Sequence, residues 1–450
     1  MNGKIIKAYS LEELPISVSL KHLNAVLNPD FGLVSEIHRE RQHYDEPKFW
    51  HFSARVNDRF IEQRGISFTT VGSGCSFFSK QEALFKCLAE VVERFSNTYF
   101  PNKVAIKLST TSDVQHYIVP LESFSRYSKK QLNSRLYSRF IFKPDSKLRW
   151  TTCESLDSNK QYLIPCNFIY LSYPHAKEEP LIYPPISTGV AAGGTLATAV
   201  LRGLYECIER DAYMLAYLKK IQYPKVRLER IKNKKVQFFL ETANKYDLEI
   251  SCLDFTTNMG IPVICALVLD RSGVGKAVSV GLKCNTNAHE AITGAITEAF
   301  HTRGWIRRMH EMDDSAYQDE IKRAKDPGMI QRGLFWYNVE KIKKLDFWSE
   351  NGKYIEINEN VNRKTVKEEL EYVVSKLHEH HMDAYWKDIT VGELSPLGLK
   401  VVKTIVPQLQ PLTFDDDRQP QGGPRLNDVP RFSGYNYEVS KINKYPHPFL

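Results

Sequence analysis

Apolar residues recur at helical spacing in three stretches of the chain. In ALFKCLAEVVERFS, the residues Leu84, Leu88, Val91, Val92 and Phe95 fall on one side, which predicts an amphipathic helix. Its start is marked by Ser79-Lys80-Gln81-Glu82, where hydroxyl and carboxylate can satisfy each other's free amides as a capping box. A second helix is predicted over LATAVLRGLYECIERDAY, entered through the glycine-rich turn Ser187-Thr188-Gly189-Val190-Ala191-Ala192-Gly193-Gly194-Thr195. The third opens at Asn287-Ala288-His289-Glu290 and continues as AITGAITEAFHTR. The apolar run PVICALVLD before it, Pro262 to Asp270, reads as a buried strand. From Pro407 to the end the periodicity is lost among seven prolines, which predicts an extended arm.

Composition narrows the class. With 42% hydrophobic and 25% charged residues among 450, the chain can bury a sizeable core, and no stretch approaches the ~20 apolar residues of a membrane span. Met1 to Pro15 lacks the apolar centre of a secretion signal, so a cytoplasmic protein with no membrane partner is expected. The net charge of +8 is spread along the chain without a nucleic-acid motif, which argues against nucleic-acid binding. Eight cysteines without metal-ligand spacing are expected to be reduced, mostly buried thiols. No Ser/Gly linker divides the sequence, so one interwoven body is expected rather than separate beads.

The chemistry lies in a repeated unit. Glu90-Val91-Val92-Glu93-Arg94 on the first helix matches Glu206-Cys207-Ile208-Glu209-Arg210 on the second. Spacing of three puts each carboxylate pair on one helix face, close enough to share a hard cation. One such pair reads equally well as a solvated acidic stripe. Two pairs on helices this apolar are harder to leave in water, and buried carboxylates repel unless cations neutralise them. Mg2+ suits carboxylate plus phosphate oxygens, and Arg94 and Arg210 offer planar donors to phosphate. Arg303, five residues beyond Glu298, adds another cation. A nucleotide site built from helix faces, or a structural ion-pair network, accounts for these residues. The glycine-rich turn is an anion site in form, although it lacks the Gly-Lys-Ser/Thr of a P-loop. His378, Glu379, His380 and His381 end the amphipathic helix KEELEYVVSKLHEHH, where histidines suit the negative helix end better than a metal.

STGVAAGGTLATAVLRGLYECIERDA and AEVVERFS, with AITEAFHTR third in order, resemble the signature of the YcaO superfamily. VVKTIVPQLQPL and the terminal YPHPFL are similar to the stand-alone D proteins of azole-forming synthetases, including the streptolysin-type group; the likeness runs from about Leu27 to the end. The resemblance implies an α+β fold of mixed sheets and helices around a cleft for ATP and several Mg2+ ions. It implies a segment 1–60 packed on the core, a catalytic domain 61–430 and a tail 431–450 reaching the active site. By position, Glu90, Glu93, Glu206 and Glu209 would be metal or nucleotide ligands; Arg94, Arg210 and Arg303 would meet phosphate; Glu298 and His301 would line the same site. Pro446, Pro448 and Leu450 would bring the chain end to the reaction. The implied activity is ATP-dependent cyclodehydration of Cys, Ser or Thr in a ribosomal precursor peptide to azolines, as in bacteriocin maturation. Implied partners are a separate adenylating-enzyme-like protein that captures the leader peptide and a flavin-dependent azoline dehydrogenase, around a homodimer; the leader-binding and adenylating-enzyme-like domains of fused relatives are not expected in this chain.

Several positions depart from that pattern. Gly194 stands where many members carry Asn, Thr198 where they carry a carboxylate, and His301 where Gln is usual. The end Pro446-His447-Pro448-Phe449-Leu450 keeps two of the three prolines of Pro-x-Pro-x-Pro. A thioamide-forming enzyme and a non-catalytic docking scaffold are the alternative readings; the paired glutamates favour an enzyme and the retained prolines favour azoline formation.

Overall fold

The computed structural model describes residues 26–27, 32–60, 71–98, 100, 108–114, 117–124, 126–158, 160–312, 327–350, 352–357, 365–392, 394, 398–438 and 442–450. The first 25 residues of the expected N-terminal segment and residues 439–441 of the tail lie outside these.

Three sheets carry the strands. The first is antiparallel, in the order β1 (Val34–Arg39), β2 (Trp50–Val56), β3 (Val71–Ser76). A second has the order β5 (Gln161–Pro165), β4 (Trp150–Ser155), β12 (Tyr385–Asp388), β13 (Lys400–Ile405), β6 (Val190–Gly193). The third runs β10 (Val278–Cys284), β9 (Val263–Leu269), β8 (Glu249–Asp254), β7 (Lys225–Val226), β11 (Tyr354–Ile355). The expected strand is β9, buried at every residue because it lies inside its sheet with helices against it.

Helix α1 (Lys80–Thr98) packs on β3, and α2 (Leu196–Leu218) packs on β6 and β13. α3 (Lys234–Lys245) and α4 (Ala288–His301) cover the third sheet, with α4 against β10 and β9. The helix break at Thr302 starts α5 (Arg303–Glu311); α6 (Pro327–Phe335) and α7 (Val366–Glu379) follow. Nineteen of the 23 residues of α2 are buried, and it also touches β10 and α7, so it joins the second and third sheets. Among the described residues no helix is long and apolar enough to cross a membrane.

Local capping differs from the expectation at one helix start. Ser79 Oγ accepts the Glu82 amide at 3.2 Å, but the Glu82 carboxylate accepts from Ser76 Oγ at 2.7 Å and pairs with Lys86 at 2.7 Å. A cation one turn away competes successfully for this acid. On α4, Asn287 caps His289 and Glu290 as predicted. The tail also differs, since it contains α8 (Pro424–Ser433) within the expected extended arm. Pro424 occupies the first turn, where no amide partner is needed, and Gly434 stops the helix at φ 71°. All eight cysteines are free and buried.

Candidate active site

Each acidic residue of the repeated unit reaches from its helix to a backbone amide of a neighbouring strand or turn. Glu90 accepts from the Ser73 amide at 2.7 Å and Glu93 from Ala192 at 2.7 Å. Glu206 accepts from Gly189 at 2.8 Å and Glu209 from Cys284 at 2.7 Å. Glu298 on α4 joins the pattern by accepting from Leu282 at 2.6 Å. Apolar neighbours seat the helices against the sheets, and the carboxylates lie where helix face and strand end meet. Four of the five are half-buried, while Glu209 is buried.

Electrostatic interaction links the five carboxylates in series: Glu90 and Glu206 act on Glu93, Glu206 on Glu209, and Glu209 on Glu298. Desolvation pushes the Glu93 carboxyl up to about 8, and Glu90 and Glu206 push it the same way. Glu298 is likewise pushed up to about 8, first by desolvation and then by Glu209. Glu209 is raised by burial, with Lys283 and the Cys284 amide opposing. Arg94 pairs with Glu90 at 2.6 Å, and Arg210 pairs with Glu206 at 2.6 Å and donates to Thr188 Oγ1 at 2.7 Å. The sites of the two Glu-x-x-Glu-Arg units are therefore one site.

The donor set fits one kind of metal binding. Among the described residues no three His, Cys, Asp or Glu side chains converge as a preformed metal cage. Carboxylates that each spend one oxygen on an amide suit Mg2+, which takes one or two of them and completes its shell with phosphate oxygens and water. Glu93, Glu209 and Glu298 would hold such ions, with Arg94 and Arg210 beside the phosphates.

Other predicted residues are placed differently. Arg303 is committed elsewhere: it donates to Glu46 at 3.0 Å through two nitrogens, to Asp270 at 2.9 Å and to the Lys276 carbonyl at 2.7 Å. Four of its five N–H groups are thus used in a buried ion-pair network. The helix break at Thr302 turns it from the α4 face that carries Glu298. His301 Nε2 contacts Ser73 Oγ at 2.7 Å and His51 Nε2 at 3.1 Å, which ties it to the strand that holds Glu90. Burial keeps both rings neutral, with His51 pushed down to about 2. Gly194 follows β6, and Thr198 is buried in the first turn of α2, where its hydroxyl accepts from Thr195 Oγ1 at 3.1 Å. The terminal residues thread past α2: Tyr217 Oη donates to the Pro446 carbonyl at 3.0 Å, and the Phe449 amide to Tyr213 Oη at 3.3 Å. Leu450 reaches Gly333 on α6. Pro448 lies between these anchors.

Lys403 was not anticipated. This β13 residue is buried, and its ammonium donates to the Ile186 carbonyl at 2.6 Å and the Thr188 carbonyl at 2.7 Å. Desolvation pushes its pKa down to about 8. It holds the turn that presents Thr188 to Arg210. A lone charge inside the apolar run of VVKTIV was the available signal. His51 and Ser73 carry no local signal, because only strand pairing brings them to His301.

The family described as YcaO cyclodehydratase, ATP- and Mg2+-binding, matches residues 75–410. Three solved structures share the fold. A heterocyclase in complex with substrate and cofactor superposes with a TM-score of 0.77 at 20% identity, over 98% of this chain and 59% of that one. The chain thus spans 59% of the heterocyclase's length. YcaO from Methanopyrus kandleri, bound with AMPPCP and Mg2+, gives 0.64 at 15% identity over 90% and 94% of the two chains. The E. coli microcin synthetase McbBCD complex with pro-MccB17 bound gives 0.62 at 13% identity over 93% and 99%. At these identities the likeness establishes the α+β fold.

Proposed function

Because the chain belongs to the YcaO cyclodehydratase family, we propose that it is an ATP- and Mg2+-dependent enzyme that converts Cys, Ser or Thr of a ribosomal precursor peptide into thiazolines or oxazolines. One observation carries this reading: Glu90, Glu93, Glu206, Glu209 and Glu298 each accept a strand or turn amide, and Arg94 and Arg210 pair with two of them. Such a cluster opposes its own burial unless a ligand brings cations to it.

In the proposed reaction the side-chain oxygen or sulfur of the substrate attacks the preceding backbone carbonyl, and its proton leaves to solvent. ATP would supply the γ-phosphoryl group to the resulting oxyanion, with the bond to the β-phosphate broken and ADP leaving, and loss of inorganic phosphate with the amide proton would leave the C=N bond of the azoline. Here the chain's residues position and neutralise charge, as in other phosphoryl transfers. Arg210, fixed by Glu206 and Thr188, would present its remaining donors to phosphate, while Glu93, Glu209 and Glu298 would hold Mg2+. The microcin synthetase McbBCD complex with pro-MccB17 bound, which shares the fold, supports a role within a complex that acts on a precursor peptide. On the family resemblance its partners would be an adenylating-enzyme-like protein for the leader peptide and a flavin-dependent dehydrogenase acting on the azolines.

Calorimetric titration of ATP with Mg2+ tests this. The native chain should bind in a Mg2+-dependent manner, and Glu206→Ala with Glu209→Ala should abolish binding while retaining the native circular dichroism spectrum. Equal affinity in the double variant would remove the glutamates from the site.

A further inference from the structure

A cavity of about 910 Å3 lies apart from the glutamates. Its charged lining is balanced, with Arg139, Arg332 and Arg418 against Asp415, Asp416 and Asp417. Arg332 pairs with Asp416 at 2.9 Å and Arg418 with Asp415 at 2.5 Å. Cations already paired in this way do not make a site for a polyphosphate, which needs unspent positive charge. Between the charges stand flat apolar surfaces, including Pro184, Phe335 and Phe414, and one wall is Pro446 of the terminal segment. Flat apolar faces with a few polar groups suit an uncharged ligand, and the volume is near the upper end for ligand sites, with room for several residues of extended chain.

The cavity is joined to the glutamate site through a short, braced connection. Ile186 lines the cavity, and its carbonyl accepts from Lys403 Nζ at 2.6 Å. The same ammonium holds the Thr188 carbonyl at 2.7 Å, and Thr188 Oγ1 accepts from Arg210, the partner of Glu206. One wall of the cavity therefore runs within two residues into the turn that faces the phosphate-binding arginine.

We infer that this cavity seats an uncharged stretch of the substrate polypeptide next to the residue whose carbonyl reacts. The inference rests on the proposed function, since it needs the glutamate cleft to be the place of reaction. It makes Lys403 a positioning residue, which keeps cavity wall and Thr188 in register, and it gives the terminal segment a role as one side of the substrate channel.

The buried state of all eight cysteines supplies a clean test. Gln331 is an exposed cavity-lining residue of α6 and has no part in the glutamate site, so Gln331→Cys introduces a singly exposed thiol. Its alkylation by a maleimide is timed alone, with ATP and Mg2+, with a pool of short peptides of Gly, Ala, Ser, Thr and Phe, and with oligoglutamate and oligolysine. The uncharged pool should slow alkylation about fivefold, equivalent to roughly four-fifths occupancy, with no such protection from the nucleotide or the charged peptides. Protection by ATP and Mg2+ alone, equal protection by the charged peptides, or none from the uncharged pool overturns the inference. Calorimetry of ATP on the native chain reports separately on the proposed function: absence of Mg2+-dependent binding there counts against the nucleotide site and not against peptide protection.

Discussion

Glu93 and Glu298 hold their protons near neutrality because desolvation pushes both carboxyls up to about 8. The folded chain then binds more protons than the unfolded one from about 4.5, the ordinary glutamate value, to about 8. Without metal, these two groups lower stability as pH rises through that window. Mg2+ reverses the preference by favouring the ionised form, so its binding must expel protons and tighten with rising pH. Titration in buffers of different ionisation enthalpy should show proton release near pH 7, with Mg2+ affinity in the presence of ATP rising until about pH 8. Replacing Glu93 by Gln should flatten that rise. The acids themselves were legible in the sequence as a repeated spacing. Their pairing with amides was not, because the Ala192 and Cys284 amides lie 99 and 75 residues from Glu93 and Glu209, and the nearer three, 16 or 17 residues away, depend on how each helix folds back on the segment before it.

At the scale of elements, two glycines let helices approach strands closely enough for glutamates to reach the amides. A Cβ on Gly281 of β10 would overlap Ala295 O and Ala299 N of α4, and one on Gly74 of β3 would overlap Cys87 N and Ala83 O of α1. Gly281→Val should therefore push α4 away from β10, costing about 3 kcal/mol of stability by denaturant unfolding. It should also weaken Mg2+-dependent ATP binding, since Leu282 and Glu298 would part; an unchanged Kd would show that the close packing is not required by the site. The periodicity predicted α1, α2 and α4 because burial of one helix face repeats every three to four residues. It missed α8, whose prolines read as punctuation, although one of them sits where a helix start tolerates it.

Across the whole molecule, Asp211 locks the tail to the central helix. It is fully buried, pairs with Arg425 of α8 at 2.5 Å and accepts the Gln410 amide at 2.7 Å. Asp211→Ala leaves the Arg425 cation buried without its partner and should cost about 3 to 5 kcal/mol, measured by urea unfolding. The double change Asp211→Leu with Arg425→Met should recover most of that loss, because it removes both charges rather than one. A variant that stays within about 1 kcal/mol of the native chain after Asp211→Ala would show the lock to be dispensable. In GLYECIERDAY the residue directly after Arg210 thus belongs to tail anchoring, while Glu206 and Glu209 reach the Gly189 and Cys284 amides.

The sequence by itself determined that α1, α2, α4 and α7 form, which of their faces are apolar, and that two of them carry the same pair of acids and an arginine, because these properties depend on spacing along one element. Tertiary structure alone decided that Arg303 turns into an ion pair with Glu46 and Asp270, that Lys403 braces the turn at Thr188, and that Pro446 of the terminal segment lines a cavity. Those outcomes depend on which distant group reaches a charge first, and a buried charge takes the nearest partner the fold supplies, wherever that partner lies in the chain.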